Sequence, residues 1–236
     1  MKNSSDRKAP GVNGIPNEYY KYSSDQFKNA LTKAFNHMYD VGEISVEYLQ
    51  AMIFPIYKKG NKADPANYRG ICFQNSALKD LSAILQMRLM NWVEENQILS
   101  PFQAGFRKGY STVDQIFILS NIVNSRLQNK EKLYAFFVDF RTAFDHVQRN
   151  LLFYKLAQIG LSFKFLRMLR AMYEKTSVCI KDGDKISEFF ETLFGIKQGD
   201  NASPLMFSLF IDDLKDVPII EWSRFCGNKN KVANVC

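Results

Sequence analysis

Histidine is nearly absent from this chain and cysteine is scarce. Only His37 and His146 occur, and the 4 cysteines stand at 72, 179, 226 and 236. No Cys-x-x-Cys pair exists, so a zinc knuckle or a dithiol redox motif has no ligands. Thiols used this way, buried or free, fit a reducing compartment. Long apolar runs are missing too, and nothing approaches the roughly 18 residues of a membrane span. The stretch from Met1 to Gly14 is polar and lacks the apolar core of a signal peptide, which argues for an intracellular protein of nucleus or cytoplasm. Repeats and long Gly/Ser or Pro linkers are absent. Acidic residues are outnumbered, with Lys+Arg 31 against Asp+Glu 24 and a net charge of +7. Such an excess suits a polyanionic partner, nucleic acid or nucleotide phosphate, and equally a plain solubilising surface.

What is present is a globular composition: 236 residues, 46% hydrophobic and 23% charged. That length buries a sizeable core in one large domain or two small ones. Ser23 and Gln26 have capping-box spacing, and Phe27, Ala30, Leu31, Ala34, Phe35 and Met38 then form a helical stripe that Gly42 stops. Residues 51–57 predict a strand that Pro55 pushes to a sheet edge. Leu78, Leu81, Leu85, Leu89 and Trp92 predict a second helix. A third begins near Ser111 with Val113, Ile116, Phe117 and Val123 inward. Leu133–Asp139 is a short apolar run ending in a carboxylate and predicts a buried strand. Helices follow at roughly 149–159 and 163–174, then a hairpin around Asp182-Gly183. A last helix spans about Ser203 to Leu214, with Pro204 suited to its first turn. Helices mixed irregularly with a few strands give an α+β class.

Four places could carry chemistry. Asp139, at the end of a buried strand, must be paired, bind a metal or cap the next turn, and capping is the commoner role for an isolated aspartate. Gly195-Ile196-Lys197-Gln198-Gly199-Asp200 could bring backbone, a cation and an amide to a ligand, or be an ordinary strand-to-helix turn. Lys58, Lys59, Lys62 and Arg69 form a basic segment, for phosphate or simply for water. Phe106, Arg107 and Lys108 interleave aromatic and basic residues beside glycines, as on a surface that tracks a nucleic-acid strand, or as in a glycine-rich connector.

Taken singly these are unspecific, but their order is not. Pro10-Gly11-Val12-Asn13-Gly14-Ile15-Pro16 comes first, then Pro55-Ile56-Tyr57-Lys58-Lys59-Gly60 and Asn67-Tyr68-Arg69-Gly70-Ile71. Gln103-Ala104-Gly105-Phe106-Arg107 follows, then Phe137-Val138-Asp139-Phe140-Arg141-Thr142-Ala143-Phe144-Asp145. Gly195 to Asp200 and Ser203-Pro204-Leu205-Met206-Phe207 close the series. In this order, over about residues 9–216, the chain resembles reverse transcriptases of non-LTR (LINE-type) retrotransposons.

The resemblance implies right-hand polymerase fingers over 1–132, a partial palm over 133–216 and a divergent, poorly ordered tail over 217–236. It implies an RNA-directed DNA polymerase acting on an RNA template, a DNA primer and dNTPs with two Mg²⁺ ions. By motif match Asp139 is the first metal-binding aspartate and the Phe140 carbonyl a second contact to the metal. Phe144 screens the sugar 2′ carbon. Gln198 and Gly199 meet nucleotide and template. Arg69 and one of Lys58 or Lys59 hold the triphosphate, and Phe106, Arg107 and Lys108 lie on the nucleic-acid path. The family's Y/F-A-D-D turn has no match in the chain. Asp212-Asp213 aligns instead with the end of the Ser-Pro-Leu helix and reads as solvated. Thr142 replaces the usual Lys, and Asn201-Ala202 the usual Pro-Leu. The chain therefore reads as a truncated copy, with a catalytically inactive relic that at most binds nucleic acid as the alternative.

Overall fold

The structure, a computed structural model, describes residue 7 and residues 9–135, 137–140 and 142–216. Three helices open it: α1 (Asn17–Lys21), α2 (Asp25–Val41) and the single turn α3 (Val46–Leu49). Ser24, not Ser23, caps α2 by accepting the Phe27 N–H. The Ser23 hydroxyl donates to the Tyr20 carbonyl instead. Gly42 ends α2 at φ 75°, where a side chain is disfavoured, and its N–H closes on the Met38 carbonyl. Of the expected stripe only Phe35 is buried and Leu31 and Met38 half-buried. Phe27, Ala30 and Ala34 face outward, so α2 lies on the rim of the core.

β1 (Ala51–Tyr57) pairs antiparallel with β2 (Tyr68–Gln74), from Ala51 opposite Gln74 to Tyr57 opposite Tyr68. β3 (Ser177–Asp182) lies parallel on the other side of β1, but only along Ala51–Ile53. β1 is therefore an interior strand at its start and an edge beyond Ile53. Pro55 falls in that open part, so the edge expected from its missing N–H is local to its end of the strand. Gly183, at φ 57°, turns β3 into β4 (Lys185–Ile186). The hairpin's return arm is broken: β5 (Phe190–Glu191) rejoins β3 separately at Ser177–Val178.

Helix faces meet over one core. It takes Leu78, Leu81, Leu85, Leu89 and Val93 from α4 (Ser76–Glu95). To these it adds Leu152 and Leu156 of α6 (Arg149–Gln158), Met168 and Leu169 of α7 (Phe163–Ala171), and Leu205 and Met206 of α8 (Ser203–Ile211). Pro204 is the second residue of α8, not the first, and its absent N–H is still one of the helix's orphans there. Core and β1–β3 pairing both cross residue 132, so the fingers and palm expected on either side share a single interior. Asp212 is not solvated as expected. It accepts the Ser100 N–H (3.0 Å) and is paired with Lys215. Asp213 is exposed but paired with Lys155 at 2.7 Å. The tail 217–236 lies outside the described residues.

Two expectations about the middle of the chain are corrected. α5 (Thr112–Gln128) forms behind a full capping box between Ser111 and Asp114, yet none of its residues is buried. Val113, Ile116 and Phe117, expected inward, are 70%, 65% and 67% exposed. Residues 133–135 and 137–140 form no strand, and Phe137 and Val138 are exposed. A strand exists only as a member of a ladder, and among the described residues none pairs with this segment. Phe136 and Arg141 lie outside the described residues.

Candidate functional site

The β1–β2 turn is tied internally. The Lys58 N–H donates to the Asn67 carbonyl (2.9 Å), the Tyr57 hydroxyl to the Gly60 carbonyl (2.7 Å) and the Tyr68 hydroxyl to the Lys62 carbonyl (2.9 Å). Asp64 caps the short 3-10 turn Pro65–Asn67 through the Ala66 N–H. Lys58, Lys59 and Arg69 stand exposed on this frame and carry no ion pair among the described residues.

The segment after Asp139 turns at Thr142, φ 50°, where the Asp145 N–H returns to the Thr142 carbonyl at 3.0 Å. An aromatic floor supports it. Phe144 stacks on Phe207 of α8 with centroids 5.1 Å apart, Phe140 meets the same ring edge-on at 6.2 Å, and Phe106 meets Phe144 at 6.4 Å. Phe144 is thereby half-buried with its position set from below.

The third segment, 195–204, is pinned against the second. The Gly195 N–H donates to the Val147 carbonyl and the Ile196 N–H to the Phe144 carbonyl, both at 2.9 Å. A Cβ on Gly195 would lie 2.9 Å from the Asp145 carbonyl oxygen, so only glycine permits this approach. Arg149, at the start of α6, clasps the run leading in. It donates to the carbonyls of Gly195 (2.8 Å), Phe194 (3.0 Å) and Tyr173 (3.1 Å) and to the Thr192 hydroxyl (3.0 Å). Lys197, expected to offer a cation, is turned inward. It is buried, donates to the Met172 carbonyl (2.9 Å) and lies over the Tyr173 ring, and burial holds its pKa below the ordinary lysine value. The Gln198 carbonyl accepts the Cys72 N–H at 2.8 Å, which docks the loop on β2. Gly199 sits at φ 103°, and a Cβ there would lie 3.1 Å from the Cys72 carbonyl oxygen. Beneath it, burial pushes the Cys72 thiol up to about 11.

The three segments enclose a cleft of about 800 Å³. Lys58, Lys59 and Arg69 line it with Asp139, Phe140, Phe144, Gln198 and Gly199, so the residues singled out for nucleotide and metal share one space. Ser203 and Pro204 at the start of α8 complete it. Sequence reasoning gave no role to Asp145, which also lines the cleft and accepts the Gln198 side-chain amide. Its signal was there: a second carboxylate on the turn that carries Asp139. Of the nucleic-acid residues, Phe106 (φ 62°) and Lys108 are exposed. Arg107 is corrected. Its side chain is 8% exposed, paired with Glu94 at 2.7 Å, bonded to the Ser100 carbonyl and stacked 4.3 Å from the Tyr110 ring centre. It clasps its own loop and presents no free cation.

Chemically the cleft brings the cations of Lys58, Lys59 and Arg69 together with the carboxylates of Asp139 and Asp145. Among the described residues no group of three or more His, Cys, Asp or Glu could hold a metal. Asp139 brings to the cleft a hard oxygen donor of the kind Mg²⁺ takes, and Mg²⁺ needs few protein ligands beside water and phosphate. The described residues of the cleft do not fit a pair of ions held by protein alone. No helix of the described residues is long and apolar enough to cross a membrane.

A family model described as "Reverse transcriptase (RNA-dependent DNA polymerase)" matches residues 56–221. The chain is 28% identical over 209 residues to the RNA-directed DNA polymerase from mobile element jockey of Drosophila melanogaster, covering 88% of the chain and 23% of that protein. It is 28% identical over 211 residues to the probable RNA-directed DNA polymerase from transposon X-element of the same fly, covering 89% and 23%. The Pol polyprotein from type-1 retrotransposable element R2 of Popillia japonica is 27% identical over 67% of the chain and 22% of its own length. The chain thus spans about a quarter of the length of these relatives. Among solved structures, apo telomerase from Candida tropicalis covers 81% of this chain and 45% of its own, at 13% identity and a TM-score of 0.45.

Proposed function

The chain belongs to the reverse transcriptase (RNA-dependent DNA polymerase) family, and from that membership we propose that it supplies the fingers and first palm part of an RNA-directed DNA polymerase of non-LTR retrotransposon type. The observation that carries this is the single cleft shared by Lys58, Lys59, Arg69, Asp139, Phe144 and Gln198.

The proposed ligand is a deoxynucleoside triphosphate. Arg69 offers a planar fork and Lys58 or Lys59 a point charge to its phosphates, on a turn tied by its own hydrogen bonds. Asp139 and the Phe140 carbonyl would hold Mg²⁺, which when bound neutralises and polarises phosphoryl oxygens. Phe144, propped on Phe207, fills the space a ribose 2′-hydroxyl would need. Gln198 and the Gly199 backbone face sugar and base. Phe106 and Lys108 border the route of the template and primer. Positioning of this kind is most of what phosphoryl transfer asks of a protein.

A second reading, nucleic-acid binding without nucleotide binding, is favoured by the net charge of +7 and the exposed Phe106 and Lys108. Equilibrium titration with dNTP and Mg²⁺ separates the two. The proposed site gives saturable binding that Arg69→Ala weakens about tenfold or more, the range for losing a charge-assisted phosphate contact. Nucleic-acid binding with no nucleotide binding would favour the second reading.

A further inference from the structure

Gln198 has a side chain with two faces, a donating NH₂ and an accepting carbonyl, and a ligand meets whichever one the protein leaves free. The Gln198 Nε2 lies 3.0 Å and 3.2 Å from the two carboxylate oxygens of Asp145. Turned the other way, the amide would set its carbonyl oxygen against that carboxylate, acceptor against acceptor. The carboxylate therefore fixes the orientation chemically. Asp145 is itself pinned: its N–H bonds to the Thr142 carbonyl, and its backbone is abutted by Gly195, whose absent Cβ would come within 2.9 Å of it. Both residues line the cleft, and Gln198 Oε1 accepts no hydrogen bond among the described residues.

We propose that Asp145 is a positioning residue that holds the Gln198 amide with its NH₂ toward the protein, so that the nucleotide meets the carbonyl oxygen as a fixed acceptor. This rests on the nucleotide reading of the cleft and adds a selectivity rule to it. The loop selects ligands that donate a hydroxyl or amine hydrogen to Oε1 and disfavours those that present only acceptors. Asp145 touches no reacting atom in this scheme.

Two measurements test it on the whole chain. The first uses the ligand-free protein and the side-chain NH₂ resonances of Gln198, identified by their loss in Gln198→Met. In the wild type the proton facing Asp145 should be shifted downfield and exchange slowly, and Asp145→Ala, which removes the acceptor, should return the pair to the values of a free glutamine. Resonances unchanged by Asp145→Ala would overturn the pairing. The second is a double-mutant cycle on dNTP·Mg²⁺ affinity. Asp145→Asn should weaken binding by roughly three- to tenfold where Gln198 is present, the worth of one oriented hydrogen bond. It should change nothing where Gln198 is already Met. Equal losses in both backgrounds would mean that Asp145 acts on the fold alone and would overturn the proposal. Absence of dNTP binding in the wild type would overturn the nucleotide reading and with it the role of Oε1, whereas the amide resonances judge the pairing in either case.

Discussion

At the scale of the residue, environment decides what each charge can do. Cys72 shows this through pH. Burial raises its thiol from 9.0 to about 11, so the unfolded chain loses that proton first as pH rises. The stability this contributes is complete below pH 9 and is lost as pH climbs to about 11, on the order of 2–3 kcal/mol. Cys72→Ala should therefore flatten the fall in stability between pH 9 and 11, measured by urea unfolding at each pH. An equal fall in both proteins would place the thiol in water. Phe144→Ala should do two things at once, because the ring both faces the cleft and stacks on Phe207. Thermal stability should drop by roughly 1–3 kcal/mol, and the preference for dNTP over rNTP in binding should shrink. A stability loss with an unchanged preference would leave Phe144 only its packing role. Asp139, Phe144, Gln198 and Arg69 were legible in the sequence as neighbours in one cleft, because motif order places such residues. Lys197 and Arg107 were not, because a sequence shows that a charge exists and not whether Met172 or Glu94 has engaged it.

At the scale of the element, local signals were read well and partnerships were not. The start of α5 near Ser111 and the buried face of α4 at Leu78, Leu81, Leu85 and Leu89 were read from the sequence, because both patterns are contained in a single stretch of chain. Residues 133–139 read as a strand by composition, and the described ones, 133–135 and 137–139, form none, since a ladder depends on a second segment that composition cannot supply. Hydrogen exchange should follow this contrast. Amides of β1 and β2 should be protected and those of 137–140 should exchange like open chain, whereas protection of 137–140 equal to that of β2 would show a ladder there. The exposed apolar face of α5 gives a second test. Ile116→Lys with Phe117→Lys should leave thermal stability within about 0.5 kcal/mol and reduce light scattering on concentration, because the side chains removed are in water already. A large loss of stability would mean that this face is packed.

At the scale of the molecule, a helical core, a small apolar cluster of Ala51, Cys72 and Val178, and one sheet hold a basic turn, an acidic turn and a glycine-bounded loop around a shared space. The net charge of +7 should add weak, sequence-independent affinity for nucleic acid, which should fall steeply with salt as phosphate contacts release counterions. Salt-insensitive binding would assign the affinity to something other than the basic turns. The 236 residues on their own should not extend a primer on an RNA template with Mg²⁺ and dNTPs, since among the described residues no group of three or more His, Cys, Asp or Glu is in place to clamp two ions, and Asp145, the carboxylate beside Asp139 in the cleft, is engaged by Gln198. Extension abolished by Asp139→Ala would show that a second ion finds ligands in these residues after all. The claim on which everything else depends is that the nucleotide enters this cleft and no other place on the surface. Photolabelling with 8-azido-dATP and Mg²⁺, followed by peptide mapping, addresses it directly. Label should fall within 58–71, 139–145 or 198–204 and be displaced by unlabelled dNTP. Displaceable label confined to the exposed face of α5, or to the apolar hollow formed by Ile15, Tyr19, Tyr22 and Phe27, would contradict it.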